Sequence, residues 1–229
     1  MKVDRRQRPR IWDTDWLVLR QLARLLFEEA KCHIPKGSIM IDLGCGDMPY
    51  RSMMNEMGIE YYGADIDRGD YIIDEEGRTS FEKASADVVL SVQVLEHVNN
   101  IKFYFEEVCR LLDRSGILLL STHGTWLYHP HPEDHRRWTR SGLIAELNAN
   151  SLEVEEAHPI VGPLATTTLI RLTAYAFFLR KFPLVGGFLA GIVAAAMNLR
   201  AMLEDKLTPK TIIKDNACVY LVRARKKLS

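Results

Sequence analysis

Ile39-Met-Ile-Asp-Leu-Gly-Cys-Gly-Asp-Met-Pro-Tyr50 decides the reading of this chain. Ile39 to Leu43 has the make-up of a buried strand, and Gly44-Cys45-Gly46 makes a tight turn after it. A helix is expected to open near Pro49. A strand, a glycine turn and a helix start form a nucleotide-binding crevice at the carboxyl end of a parallel strand. Glycine at 44 and 46 lets the backbone approach a ligand with no Cβ in the way. Asp42, one residue before the turn, adds a carboxylate beside that crevice.

The glycines admit two ligands. A dinucleotide site needs the order G-x-G-x-x-G, its third glycine allowing close helix–strand packing. Here the order is Gly44-Cys45-Gly46-Asp47-Met48-Pro49, so proline stands at the third glycine and Asp47 lies where a pyrophosphate wants no negative charge. A ligand carrying a sulfonium cation tolerates those acids better. The next strand, Glu60-Tyr-Tyr-Gly-Ala-Asp65, ends in an acid about twenty residues after the glycines, where a carboxylate grips both hydroxyls of a ribose. That feature fits either ligand.

Two further segments decide between them. Ala86-Asp-Val-Val-Leu-Ser-Val-Gln-Val-Leu-Glu-His-Val98 is a buried strand running into a helix that begins near Asn99. Leu111-Leu-Asp-Arg-Ser-Gly-Ile-Leu-Leu-Leu-Ser121 is a helix end, a glycine break and another apolar strand. In order and spacing these motifs resemble the class I S-adenosylmethionine-dependent methyltransferases. The likeness extends to a type 11-like bacterial branch with a DLGCG-x-x-PY turn and a later segment, here Tyr128-His-Pro-His-Pro-Glu-Asp-His-Arg-Arg-Trp-Thr139. Members of that branch look like small-molecule or sugar methyltransferases of surface-polysaccharide pathways. The resemblance covers residues 38 to 160 and the final strand, and leaves out 163 to 210.

The resemblance implies S-adenosyl-L-methionine as cofactor. On the matching positions Asp42 orients its amino-acid end, Gly44, Cys45 and Gly46 offer backbone contact, Asp65 holds the ribose, Ile66 lies against the adenine and Gln93 lines the cleft near the methionine moiety. Asp74 is a further acid for the adenine amine, although the pattern around 74–84 matches the family poorly.

The alternation of strand and helix from 39 to 122 predicts an α/β fold, a parallel sheet with helices on both faces. Strands are expected near 39–43, 60–65, 70–73, 86–92, 115–122 and 152–157, and over 217–225. The family's seventh strand is antiparallel, so the expectation is a Rossmann-like, seven-stranded mixed sheet with a helical insertion before the last strand. Three parts follow: 1–37, a basic mobile tail and flanking helix; 38–162 with 211–229, the methyltransferase domain; and 163–210, an apolar helical insertion. Trp16, Leu19, Leu22, Leu25 and Leu26 form the stripe of a helix over 14–31, capped by Asp13 or Thr14. Phe103, Val108, Leu111 and Leu112 share a face over 99–112, and Thr139 opens another helix.

Thirty basic and thirty acidic residues cancel, so no global field recruits nucleic acid, and no nucleic-acid partner is expected. Four scattered cysteines without C-x-x-C spacing point to a reducing cytoplasm. The first ten residues have no apolar core behind them, unlike a secretion signal. In the insertion, the run Phe182 to Asn198 holds Pro183 and three glycines and is marginal for a bilayer span of about 20 residues. Burial against the domain or in a homodimer is one reading, and shallow membrane-surface contact is the other.

Removing a hydroxyl proton suits histidine, whose pKa lies near neutrality. His97, His129 and Asp134 are the catalytic candidates. His97 has a competing structural role as a cap for the following helix. His123, at the carboxyl edge, is a further histidine, and Arg137 has Asp134 as its natural ion partner. His129, His131, Asp134 and His135 have metal-ligand residue types, but prolines flank His131 and the branch implies no metal, so none is assigned. The expected activity is methyl transfer to a small-molecule acceptor such as a sugar hydroxyl. The competing reading is an inactive scaffold of the same fold that dimerises or touches a membrane through 163–210. The missing third glycine argues against a nicotinamide-dependent oxidoreductase.

Overall fold

The structure is a computed structural model and describes residues 5–130 and 133–227. Seven strands make one sheet in the order β3-β2-β1-β4-β5-β7-β6. β1 (Ile39–Leu43) lies between β2 (Glu60–Asp65) and β4 (Ala86–Val92), and all three run parallel. β3 (Tyr71–Ile72) continues the parallel edge, and β5 (Leu112–His123) pairs parallel with β4. β7 (Val219–Lys226) enters antiparallel between β5 and β6 (Leu152–Ile160). The mixed sheet with its antiparallel last strand therefore stands as expected.

Both faces of the sheet are covered, as parallel strands require. One core joins Met40, Val88, Leu90 and Leu119 to helix α1 (Trp16–His33), α5 (Pro163–Leu179) and α6 (Gly186–Leu207). The other joins Ile41, Val89, Leu118 and Leu120 to α3 (Ile101–Leu111) and α4 (Arg140–Ala149). The alternation of partners along β1 and β4 is the period of two expected of strands buried on both sides. Two short helices, α2 (Arg51–Glu56) and α7 (Lys210–Asp215), complete the chain. Thr139 caps α4, its hydroxyl accepting from the Gly142 amide.

Several local expectations change. The segment from residue 5 onward is packed rather than a solvated tail, because its side chains find partners. Gln7 donates to Ser52 and to the Pro49 carbonyl, and Arg5 pairs with Asp13 and Asp15. With Asp13 so engaged, the N-cap of α1 is Asp15, and it makes no side-chain cap bond. Glu29 of α1 is buried, held by His158 at 2.7 Å and by Arg223. On α3 it is Phe105, not Phe103, that enters the core, with Val108 and Leu111. β5 begins at Leu112, directly after α3, and runs through Asp113–Gly116, where its register against β4 shifts.

Candidate active site at the carboxyl edge of the sheet

β1, β2, β4 and β5 are parallel, so their carboxyl ends share one edge. That edge is where open α/β sheets bind ligands. Gly44, Gln93, Asp65 and His123 all come to it, from four different strand ends.

The glycine turn is built for an approaching ligand. Gly44 has φ +74°, and a Cβ there would lie 2.5 Å from Val94 Cγ2. Gly46 has φ +53°, and a Cβ there would meet nothing within 4 Å, so the space above it is open. The amides of Gly44 and Cys45 both donate to the Ala64 carbonyl, tying the turn to β2. Asp65 accepts from the Gly46 amide and from its own neighbour Ile66, each at 2.8 Å. Each oxygen thus has one acceptor position engaged and the carboxylate is aimed before any ligand arrives. Ile66 beside it is 61% exposed, an apolar side chain with nothing packed over it.

Asp42 is buried, its Oδ2 accepting from the Tyr61 hydroxyl while Oδ1 has no hydrogen-bond partner. Burial pushes its carboxyl up to about 7, although the Tyr61 bond opposes the shift. A buried, half-satisfied carboxyl is costly unless a partner completes it. Cys45 is buried and burial raises its thiol to about 12, so it stays protonated and packs rather than reacts. Gly63 explains where it packs: a Cβ there would lie 2.7 Å from Cys45 Sγ and 2.8 Å from Met48 Sδ. Gln93 sits at φ +59°, donating its backbone N–H to the Ser121 carbonyl and its side-chain amide to Ser121 Oγ at 3.0 Å. A non-glycine residue held in that region marks strain of the kind found at ligand sites. Asp74 instead closes its own turn by accepting from the Arg78 amide.

Beyond Gln93 the chain brings together the histidines. The rings of His97 and His129 are 5.1 Å apart, those of His123 and His129 4.8 Å apart, and Trp126 stacks on His123. His97 does not cap the helix after it: Asn100 does, accepting from the Phe103 amide. His97 Nδ1 instead donates to the Glu133 carbonyl at 2.5 Å. His129 Nδ1 faces the Leu127 carbonyl and Asp134 Oδ2, both at 3.3 Å. With Nδ1 protonated against an acceptor, each ring leaves Nε2 as its basic nitrogen. Burial holds His129 below the ordinary histidine range against the opposing pull of Asp134, and holds the more deeply buried His123 far below it.

Asp134 takes a different part from the one its residue type suggested. Its side chain is buried and receives both terminal nitrogens of Arg137, at 2.5 and 2.6 Å, and the His129 amide. The Arg137 bonds hold it well below the usual carboxylate range, so it orients His129 and takes no proton itself. Of the metal-type residues, His135 pairs with Glu133 at 3.2 Å, and His131 lies outside the described residues.

Glu96 was not singled out from the sequence. It is wholly buried, accepts from Thr122 at 2.9 Å and lies 3.4 Å from His123 Nε2. Burial lifts its carboxyl to about 7. A signal was present: Glu96 directly follows Val94-Leu95, an apolar run that carries an acid inward with it. Glu96, His123 and His129 each offer a ligand atom, all within 4.8 Å of one another.

A doubly covered, mixed seven-stranded sheet with an acid-flanked glycine turn defines the methyltransferase class of Rossmann-like proteins. A family model described as a methyltransferase domain matches residues 5–156, more than half of the chain. The chain belongs to the class I S-adenosylmethionine-dependent methyltransferase family. It is 27% identical to a ubiquinone biosynthesis O-methyltransferase of Azorhizobium caulinodans, over 53% of this chain and 61% of that one. It is 26% identical to another of that name from Pelagibacter ubique, over 36% and 41%. The chain thus spans less than two thirds of the length of these relatives. Among solved structures, phosphoethanolamine N-methyltransferase 2 of Haemonchus contortus with S-adenosyl-L-methionine superposes with a TM-score of 0.58, at 15% identity, over 99% of this chain and 60% of that one. The [4+2]-cyclase SpnF superposes at 0.59, 16% identical, over 92% and 83%. A fold shared with a cyclase shows architecture and not chemistry.

Proposed function

We propose that the protein transfers a methyl group from S-adenosyl-L-methionine to a hydroxyl of a small-molecule acceptor. The unsatisfied, buried Oδ1 of Asp42 carries the cofactor part of this reading, since an ammonium group is the partner it lacks. The open space above Gly46, the pre-aimed Asp65 and the bare face of Ile66 fit a nucleoside in the same crevice. Gln93, strained at the edge of that crevice, is placed for the methionine end.

The cofactor would supply an electrophilic methyl, the acceptor oxygen forming its bond to carbon as the carbon–sulfur bond breaks and S-adenosylhomocysteine leaves. The chain's task is alignment and custody of the acceptor's proton. His129 takes that proton at Nε2, oriented through Nδ1 by Asp134 and kept neutral by partial burial. His97, anchored on Glu133, is the neighbouring base or hydrogen-bond acceptor. Arg137 keeps Asp134 ionised and fixed.

Two hydroxyl classes fit this chemistry. Sugar hydroxyls of surface-polysaccharide pathways come from the resemblance, and phenolic hydroxyls of quinone-type rings from the names of the curated relatives. A release assay for S-adenosylhomocysteine with both acceptor panels separates them. His129→Ala should lower kcat by about 10²–10⁴ and leave cofactor affinity unchanged. Cofactor binding without turnover on any acceptor would favour the inactive scaffold.

A second reading rests on the Glu96, His123 and His129 grouping, which suits a divalent cation polarising the acceptor hydroxyl. Dialysis against a chelator leaves activity intact if His129 is the base, and abolishes it reversibly if a cation is held there. A cytoplasmic site of action belongs to this reading, and the free cysteines Cys32, Cys45, Cys109 and Cys218 support it.

A further inference from the structure

We propose that the α5–α6 hairpin docks this protein onto an anionic lipid bilayer, inserting its tip without crossing. The argument starts from composition. From Pro163 to Leu203 the chain carries Arg171, Arg180, Lys181 and Arg200 and no acidic residue. Arg200 is paired with Glu204 at 2.7 Å farther along α6, so the positive charge at the hairpin tip is that of Arg180 and Lys181.

The structure leaves that segment uncovered. Phe177, Phe178, Phe182, Leu184, Val185 and Phe188 are all exposed around the tip, Leu184 completely. Leu184 is held at φ +69°, a backbone region that bulky residues avoid, so an apolar side chain is displayed at the outermost point despite local strain. Lys181 lies 4.9 Å over the Phe177 ring, placing an ammonium directly at the margin of the aromatic cluster. The N-terminal segment extends this surface. Trp12 packs beside Gly191 of α6, is half exposed, and carries Arg10 on its ring. Aromatic rings, aliphatic tips and basic groups side by side match the interfacial zone of a bilayer.

Helix α6 is long and apolar enough to cross a membrane, with mean hydropathy 1.5, yet its C-terminal half is tied to the domain. Asn198 donates to the Ile11 and Asp13 carbonyls, and Asp205 accepts from Gln21 and from the Gly162 amide. A spanning helix would have to give up those bonds, whereas a docked hairpin keeps them. A second copy is the other possible cover. A two-fold contact centred on the tip would bring the Arg180–Lys181 pairs of both copies close together, with no acidic residue of the tip to offset them. Anionic headgroups complement that charge, and on this ground lipid is the partner assigned.

The test is co-sedimentation of the full chain with vesicles of phosphatidylcholine alone or mixed with phosphatidylglycerol, in the absence of cofactor and acceptor. Binding should be strong on the mixed vesicles, weak on the neutral ones, and screened by salt. Leu184→Glu with Phe188→Glu should reduce partitioning by at least about tenfold, and Arg180→Glu with Lys181→Glu by about tenfold on the anionic vesicles alone. Leu184→Glu by itself touches no buried contact, so loss of binding there is not unfolding, and unchanged melting confirms it. Wild-type protein left in the supernatant with anionic vesicles would overturn the proposal. So would a dimer by light scattering that Phe188→Glu dissociates. Because neither methyl donor nor acceptor is present, failure here leaves the enzymatic reading standing, and the converse also holds.

Discussion

Replacing Asp42 with asparagine should stabilise the cofactor-free protein while weakening its hold on cofactor. The buried carboxyl is raised from 3.8 to about 7, with desolvation the largest cause. A folded-state pKa above the unfolded value means that stability is fully present below about pH 4 and lost as pH rises towards 7. At about 1.4 kcal/mol per unit, that shift corresponds to about 4 kcal/mol withheld from the folded state at pH 8. Asparagine has no charge to desolvate. Its oxygen still accepts from Tyr61 in a neutral bond, as the protonated carboxyl does, and the stronger bond of the ionised form is already contained in the shifted pKa. The net gain is about 4 kcal/mol at pH 8, or about 8–16 °C in Tm for a chain of this size, and it vanishes by about pH 4. Glu96, also raised to about 7 by burial, leaves the variant a residual slope of the same sign. Calorimetric melts of both proteins across pH 4–8, paired with titration of S-adenosylhomocysteine, make the measurement. Affinity should fall at least about tenfold with the ion pair removed. A variant less stable than wild type at pH 8, or equally tight in binding, would refute the reasoning.

Three other outcomes are expected. Gly44→Ala places a Cβ 2.5 Å from Val94 at φ +74°, so cofactor binding should be lost and the melting point should fall, by about 1–3 kcal/mol in stability. Asp65→Ala removes the acceptor for the Gly46 amide as well as the ribose grip, and calorimetry should show S-adenosylhomocysteine binding weakened at least about tenfold. Asp134→Ala leaves Arg137 without its carboxylate partner, and denaturant titration should register a loss of about 3–5 kcal/mol, with kcat depressed even under conditions where the variant stays folded.

The strand boundaries were most legible where local pattern and tertiary role coincide. β1, β2 and β4 begin and end at the expected residues because apolar runs bounded by glycine or acid have no other use in a parallel sheet. The positions of the glycine turn and the strand-end acid were legible for the same reason, since both are local in sequence. The histidine cluster was only partly so. Its members come from the loop after β4, the end of β5 and the loop after that; the Asp134–Arg137 pair was legible at a spacing of three residues, whereas nothing local shows that Glu96 would turn inward to Thr122. Glu29 lines the buried face of α1, yet the reason for its burial, Arg223, is 194 residues away. The ordered segment before α1 was missed because its anchors on Pro49 and Ser52 lie on another element.

The position of β7 bears on how the chain is made. β6 reaches the sheet through β7, the strand that lies between it and β5, although β7 is the last of the seven along the chain. During synthesis, β1 to β5 can therefore condense as a parallel unit while β6 and the apolar hairpin behind it wait for Val219–Lys226 to emerge. That interval exposes the stickiest surface of the molecule at the moment when it has the fewest tertiary partners. A nascent chain in that state is prone to aggregate until the closing strand slots in.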